Sequence, residues 1–304
     1  MVQQSDIDAA VKNSPLPAPK HWIGGKQVDA SDGQIMANTS PIDGKPLGAL
    51  ARGTREDVNR AVASARAAYE DGRWSGMAPA ARKRVLHRVA DLIEQHMVEL
   101  AVLGARDNGT EISMALKAEP GSASATFRYY AETCDKVNGD IAPTPPGTLG
   151  LIHRESVGVV GAIVPWNFPL MIGAWKLAPA LAMGNSVVLK PAEVASLSLL
   201  RLVELCHEAG LPEGVLNVVT GEGSEVGEAL GLHNDVDVLL FTGSGGVGRR
   251  LLEYSARSNL KRVYLELGGK SASVIFDDYS NMTKAAKVSA GGIFRDSGQV
   301  CVAG

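Results

Sequence analysis

With 304 residues, 45% of them hydrophobic and 21% charged, the chain has the composition of an ordinary soluble globular protein with room for one large domain or two. A net charge of −3 leaves no basic excess for nucleic acid or an anionic membrane surface. The longest apolar stretches, residues 157–164 and 187–189 with their flanks, are too short to span a bilayer and are interrupted by glycine, lysine or proline.

Residues 1–20 are polar and proline-containing, the pattern of a loose leader, and lack the basic segment and apolar core of a secretory signal. Residues 21–50 carry short strand patterns punctuated by Gly24-Gly25, Asp32-Gly33 and Asp43-Gly44-Lys45, which predict a small hairpin system. Thr54 with Asp57 reads as a helix start, and Val58, Ala61, Val62, Ala65 and Ala68 then recur at helical spacing. A second helical pattern covers 79–103, with Val85, Leu86, Val89, Leu92, Ile93, Met97 and Leu100 on one face and Arg82, Lys83, Arg84, His87 and Arg88 on a solvated one. A third helix is expected over 122–137 and contains Cys134, read as a small buried side chain.

Pro143, Pro145, Pro146, Gly147 and Gly150 break any helix in residues 138–156, leaving a linker or an exposed hairpin with an extended segment at 149–154. From Val157 the pattern becomes α/β. Strands are expected at 157–164, 186–190, 215–220, 236–242 and 262–267, alternating with helices at 170–183, 197–209, 225–230 and 246–258. Strands without polar alternation, separated by helices of this length, define a doubly wound parallel sheet whose ligands bind beyond the carboxyl ends of the strands.

The chemistry-bearing residues fall at those ends. Lys190 and Glu193 follow one strand, and read either as a solvated strand end with a helix first-turn charge or as ribose ligands. Gly243-x-x-x-x-Gly248 lies between a strand and a helix, and Ser244 and the free amides at the helix start can take a phosphate. Asn167 is held between two prolines and reads as a turn residue or a positioned amide. Glu266 sits in the run VYLELGG and reads either as a general base whose pKa burial is expected to raise or as an exposed carboxylate at a strand end. Cys301 follows Gly298-Gln299 among small residues, as a nucleophile or a buried structural thiol, while Cys206 in LVELCHEAG reads as buried core. The cysteines, three in number and widely separated, suit a reduced, cytoplasmic protein.

Pro165-Trp166-Asn167-Phe168-Pro169, Lys190-Pro191-Ala192-Glu193, Phe241-Thr242-Gly243-Ser244, Leu265-Glu266-Leu267-Gly268-Gly269-Lys270 and Gly298-Gln299-Val300-Cys301 stand in this order. Through them the chain resembles the NAD(P)-dependent aldehyde dehydrogenase superfamily from about His21 to Gly304. The resemblance implies a Rossmann-like cofactor domain built from residues 21–137 and 157–266, a projecting oligomerisation β-arm at 138–156, and the beginning of a second α/β catalytic domain at 267–304. It implies NAD, with NADP admissible, held by Ile163, Pro165, Trp166, Lys190, Glu193, Gly223, Gly227, Phe241, Thr242, Gly243, Ser244, Val247, Leu267 and Gly268. Implied catalytic residues are Cys301 as nucleophile, Asn167 on the oxyanion, Glu266 activating water and Lys176 in proton transfer, with no metal. The implied reaction passes hydride to the nicotinamide and leaves a thioester that water releases as the acid.

The substrate is then a small-molecule aldehyde, and the segments KVNGDIAPTP and GLPEGVLNVVTGEG are similar to bacterial enzymes acting on γ-glutamylamino and ω-amino aldehydes. A homodimer or homotetramer is implied for a full-length member. Because family members continue well past the cysteine, the alternative expectation is a truncated, weakly active or inactive cofactor-binding fragment or scaffold of the same fold.

Overall fold

The computed structural model describes residues 2–303. Part of the expected loose leader is helical: α1 (Gln4–Asn13) starts where the Gln3 N–H donates to Asp6 at 2.8 Å. A side-chain acceptor at the first turn and two alanines further on are enough to hold this short polar helix. The hairpins expected at 21–50 form as β1 (His21–Ile23), β2 (Lys26–Val28), β3 (Ile35–Thr39) and β4 (Pro46–Ala51). Gly24 and Gly25, at φ 63° and 77°, supply the left-handed turn between the first two strands.

α2 (Arg55–Glu70) opens with a reciprocal cap, Thr54 Oγ1 accepting from the Asp57 N–H at 3.4 Å and Asp57 accepting from the Thr54 N–H at 3.0 Å. Its predicted apolar face is buried throughout. The pattern at 79–103 resolves into two helices, α3 (Pro79–Gln95) and α4 (Met97–Asn108), broken at His96. Leu100 to Gly104 are all buried, which a single continuous face cannot provide: α4 is packed between α5 and α7, with α1 against it as well. Arg82 does not share the solvated face. It is buried and donates to the carbonyls of Ala182 and Met77.

α5 (Ile112–Thr133) starts well before the expected position and carries Pro120 inside it. β5 (Asp140–Ala142) and β6 (Gly150–Ile152) pair as an exposed antiparallel hairpin. The remainder is β7 (Val159–Ile163), α6 (Pro169–Ala182), β8 (Ser186–Lys190), α7 (Leu197–Glu208), β9 (Leu216–Val218), a π turn at Gly223–Gly227 running into α8 (Glu228–Leu232), β10 (Val238–Gly243), α9 (Gly245–Ala256), β11 (Arg262–Leu267) and α10 (Met282–Phe294).

The main sheet has the order β11-β10-β7-β8-β9-β1-β2, parallel from β11 to β9 and antiparallel at β1 and β2. One apolar core lies between the sheet and α3, α5, α6 and α7, and a second between the sheet and α2, α8 and α9. From β7 the chain winds outward through β8 to β9, then returns to place β10 on the other side of β7. That reversal opens a crevice beyond the carboxyl ends of β7 and β10, where such folds receive ligands. Among the described residues no strand follows Leu267, and none of the helices is long and apolar enough to cross a membrane.

Candidate active site

Strand register assembles most of the expected cofactor residues along one edge. Ile163 at the end of β7 stands opposite Lys190 on one side and Phe241 on the other, Thr242 opposite Glu266, and Gly243 opposite Leu267. Side chains built at Gly223 and Gly227 would lie 4.0 Å from Lys190 Nζ and 3.9 Å from Ile163 Cδ1, so the π turn borders the same edge. Pro165 and Trp166 leave β7, Trp166 being 48% exposed, and Gly268 leaves β11.

Ser244 caps α9, its Oγ accepting from the Val247 N–H at 3.3 Å, which leaves its hydroxyl proton free to donate. Nothing lies within 4 Å of a Cβ built at Gly245 or Gly246, so this helix start is unobstructed on the side of its glycines, and its first-turn amides lack intrahelical partners. Gly248 has a packing role: a Cβ there would come within 2.8 Å of Leu267 Cδ2, so α9 rests directly on β11.

Lys190 is 3% exposed and holds Glu193 at 2.6 Å. Burial acts to raise the Glu193 carboxyl, but the Lys190 charge and hydrogen bond outweigh it and keep the carboxylate below its ordinary range. An ionised acid beside a buried ammonium, an unobstructed helix start and a crevice at the sheet reversal together fit a dinucleotide.

Beside this edge a cavity of about 560 Å³ is bounded by α5, α6, the ends of β10 and β11, and the segment ending at Cys301. Cys301, Glu266, Lys176 and Thr242 all face it. Lys176 Nζ donates to Thr242 Oγ1 at 2.8 Å. Burial lowers its pKa to about 8 against the opposing pull of Glu266, so near neutrality it can both give and take a proton.

Glu266 departs from expectation. It is exposed, because β11 is the outer strand of the sheet and Arg262, Tyr264 and Glu266 take its more open face, which α5 and α6 border only across a cavity. Val263, Leu265 and Leu267 take the packed face. Asn167 is buried as a positioned group, and its Nδ2 donates to the Gln299 carbonyl at 2.7 Å, bracing the chain two residues before Cys301. Cys301 is half-buried, whereas Cys134 and Cys206 are buried and all three are free thiols.

Sequence reasoning missed Asn108 and Thr110, and the cavity walls formed by Phe168, Trp175 and Met114. Asn108 Nδ2 donates to the Asn167 carbonyl at 3.2 Å and its Oδ1 accepts from the Thr110 N–H at 2.8 Å, while the Thr110 hydroxyl meets Asp296. Met114, Lys117 and Ala118 recur at helical spacing on α5, a signal that marks a face without saying what it faces.

Two buried acids hold the starts of α6, which bounds the cavity, and of α7. Glu119 accepts from the Met171 N–H in the first turn of α6, and Asp107 from the Leu197 N–H at the start of α7, each at 2.7 Å. Burial pushes both carboxyls up to about 8 despite these hydrogen bonds, so both stay protonated at neutral pH. Unfolded, they ionise near their ordinary values of 3.8 and 4.5. Their contribution to stability is therefore complete below those values and is lost as pH rises through about 8. The denaturant midpoint of the wild type is expected to fall relative to an Asp107→Asn, Glu119→Gln variant between about pH 4 and 8. A gap that stays constant with pH would contradict this.

The sequence matches the aldehyde dehydrogenase family over residues 28–304, and the chain belongs to that family. Its relatives include the NADP/NAD-dependent aldehyde dehydrogenase PuuC of Escherichia coli K12, 49% identical over 302 residues, covering 99% of this chain and 60% of PuuC. The aminoacetaldehyde dehydrogenase of Pseudomonas aeruginosa PAO1 is 46% identical, covering 100% of this chain and 61% of that protein. Among solved structures, the aldehyde dehydrogenase KauB of Pseudomonas aeruginosa superposes with a TM-score of 0.96 at 44% identity, over 100% of this chain and 61% of that one. The Pseudomonas syringae indole-3-acetaldehyde dehydrogenase AldA, solved with NAD+ and IAA, gives a TM-score of 0.95 at 43% identity, over 100% and 61%. The chain thus spans about 60% of the length of these relatives.

Proposed function

We propose that this chain carries the cofactor site and the nucleophile of an aldehyde dehydrogenase that oxidises an aldehyde to a carboxylic acid with NAD. The reading is carried by one observation: Cys301, Glu266 and Lys176 face a common cavity beside the strand edge that holds Lys190, Glu193 and the start of α9. NAD bound at that edge supplies the hydride acceptor. The Cys301 thiolate adds to the carbonyl carbon, and the Asn167 amide with the Cys301 N–H holds the resulting oxyanion. Loss of hydride leaves an acyl thioester on Cys301. Glu266 then removes a proton from the water that attacks it, and the acid departs. Relatives named for aminoacetaldehyde and for γ-glutamyl-γ-aminobutyraldehyde support a nitrogen-bearing aldehyde as substrate.

A second reading is a cofactor-binding body with weak turnover, favoured by the exposure of Glu266. Titration with NAD, followed by an aldehyde panel monitored for NADH, separates the two. Turnover supports the enzyme, NAD binding without turnover supports the second reading, and absence of both defeats each. Self-association through the β5–β6 hairpin is part of the proposal, since Ile141, Leu149 and Leu151 stand 72%, 70% and 71% exposed there. A cytoplasmic setting fits the free thiols.

In this reading an ionised Glu193 at the ribose rejects a 2′-phosphate by charge. Glu193→Gln is expected to tighten NADP binding relative to NAD by roughly tenfold, on the scale of a partly buried charge contact. Fluorescence titration of both nucleotides checks it, and an unchanged ratio would remove Glu193 from the ribose site.

A further inference from the structure

The cavity at Cys301 carries charges that the proposed chemistry does not use. Its walls are largely apolar, from Phe168, Met171, Ile172, Trp175 and Val300, yet Lys117, Lys176 and Arg295 also face it, against Glu266 as its one carboxylate. Lys176 is occupied, bonded to Thr242 and drawn toward Glu266. Lys117 and Arg295 are not. Among the described residues neither forms an ion pair, and both are exposed.

Their surroundings explain why they stay unpaired. Asp296, next to Arg295 in the chain, is 3% exposed and turned inward onto the Thr110 hydroxyl. Glu119, near Lys117 on α5, is buried on the Met171 amide and pushed toward its neutral form. Lys117 comes from α5 and Arg295 from the short turn leading to Cys301, so two separate elements deliver uncompensated positive charge to one apolar cavity.

We infer that this cavity selects aldehydes whose far end carries a carboxylate, over neutral aldehydes and over those ending in a cation. The inference rests on the thiol reading above and deepens it by naming the substrate class. An apolar wall accepts the methylene chain, and the free guanidinium and ammonium receive the anionic end. A terminal ammonium would instead meet like charge. Within the nitrogen-bearing aldehydes, those that also carry a carboxylate are favoured over simple amines.

The test needs no turnover. Aldehydes add reversibly to a thiol, so each slows alkylation of Cys301 by iodoacetamide, followed by mass spectrometry of the Cys301 peptide. The probes are glutaric semialdehyde, pentanal and a trimethylammonium-tailed aldehyde. In the wild type the semialdehyde is expected to protect at concentrations roughly three- to tenfold below pentanal, as two exposed charge contacts allow, and the cationic probe least. The semialdehyde-to-pentanal ratio should approach one in an Arg295→Gln, Lys117→Gln variant and shrink in high salt. Equal protection by semialdehyde and pentanal in the wild type, or a preference for the cation, would overturn the inference while leaving the thiol reading intact. Protection by no aldehyde would defeat both.

Discussion

Cys301→Ala is expected to lower aldehyde-dependent NADH formation by at least about 10⁴-fold, as loss of a covalent nucleophile does elsewhere. No other thiol can replace it. Cys206 is fully buried in α7, and burial pushes its thiol up to about 12. Cys134 is 6% exposed, donates to the carbonyls of Tyr130 and Ala182, and is likewise raised by burial. Both lie inside the apolar core on the helix side of the sheet, while Cys301 faces the cavity. Steady-state assay of the variant, with NAD titration to show that the cofactor edge is intact, checks this. Activity within tenfold of wild type would exclude the thiol route.

Asn167→Ala is expected to cost about 10²–10³-fold in kcat, the usual loss for an oxyanion donor. The structure gives the amide a second task. One Nδ2 proton holds the Gln299 carbonyl, so the alanine variant also frees the chain that delivers Cys301, while the Asn167 backbone carbonyl keeps its bond from Asn108. The two roles differ in what they move. An oxyanion donor acts on kcat with little change in the rate of Cys301 alkylation, whereas a purely bracing residue changes alkylation as well. Asn167→Asp retains a side chain of the same size but replaces the donor with acceptors, and is expected to be at least as damaging to kcat. Wild-type kcat in either variant would take Asn167 out of the site.

Much of this arrangement was readable from the residues, for identifiable reasons. The strands at Ser186–Lys190 and Arg262–Leu267 matched expectation to the residue because β-branched and apolar runs between turn residues leave little choice of register. Thr54 and Asp57 announced α2 because both partners of its cap are local. What depended on distant packing was not readable. α5 begins before the expected Ser122 and tolerates Pro120 because the helix is held against α3 and α6. The His96 break answers to which faces of α3 and α4 meet the core, and the apolar spacing alone does not show it.

Glu266 was misplaced for a subtler reason. VYLELGG reads as apolar, yet Arg262, Tyr264 and Glu266 alternate with Val263, Leu265 and Leu267, the period of a strand packed on one face only. That alternation was present in the sequence and marked an exposed carboxylate. The proposed cofactor edge was legible as a set of strand-end residues, but bringing them together depended on the sheet order, which puts Ile163 between Lys190 and Phe241. Arg295 and Lys117 lie far apart in the chain, and only the fold brings them to one cavity.

A Glu266→Gln variant incubated with NAD and an aldehyde offers the most direct check on the whole account. With its water-activating group removed, the variant should stop after one turnover, and mass spectrometry should find the acyl group of that aldehyde on the Cys301 peptide. NADH formed with Cys301 unmodified, or the acyl group carried by another residue, would contradict it.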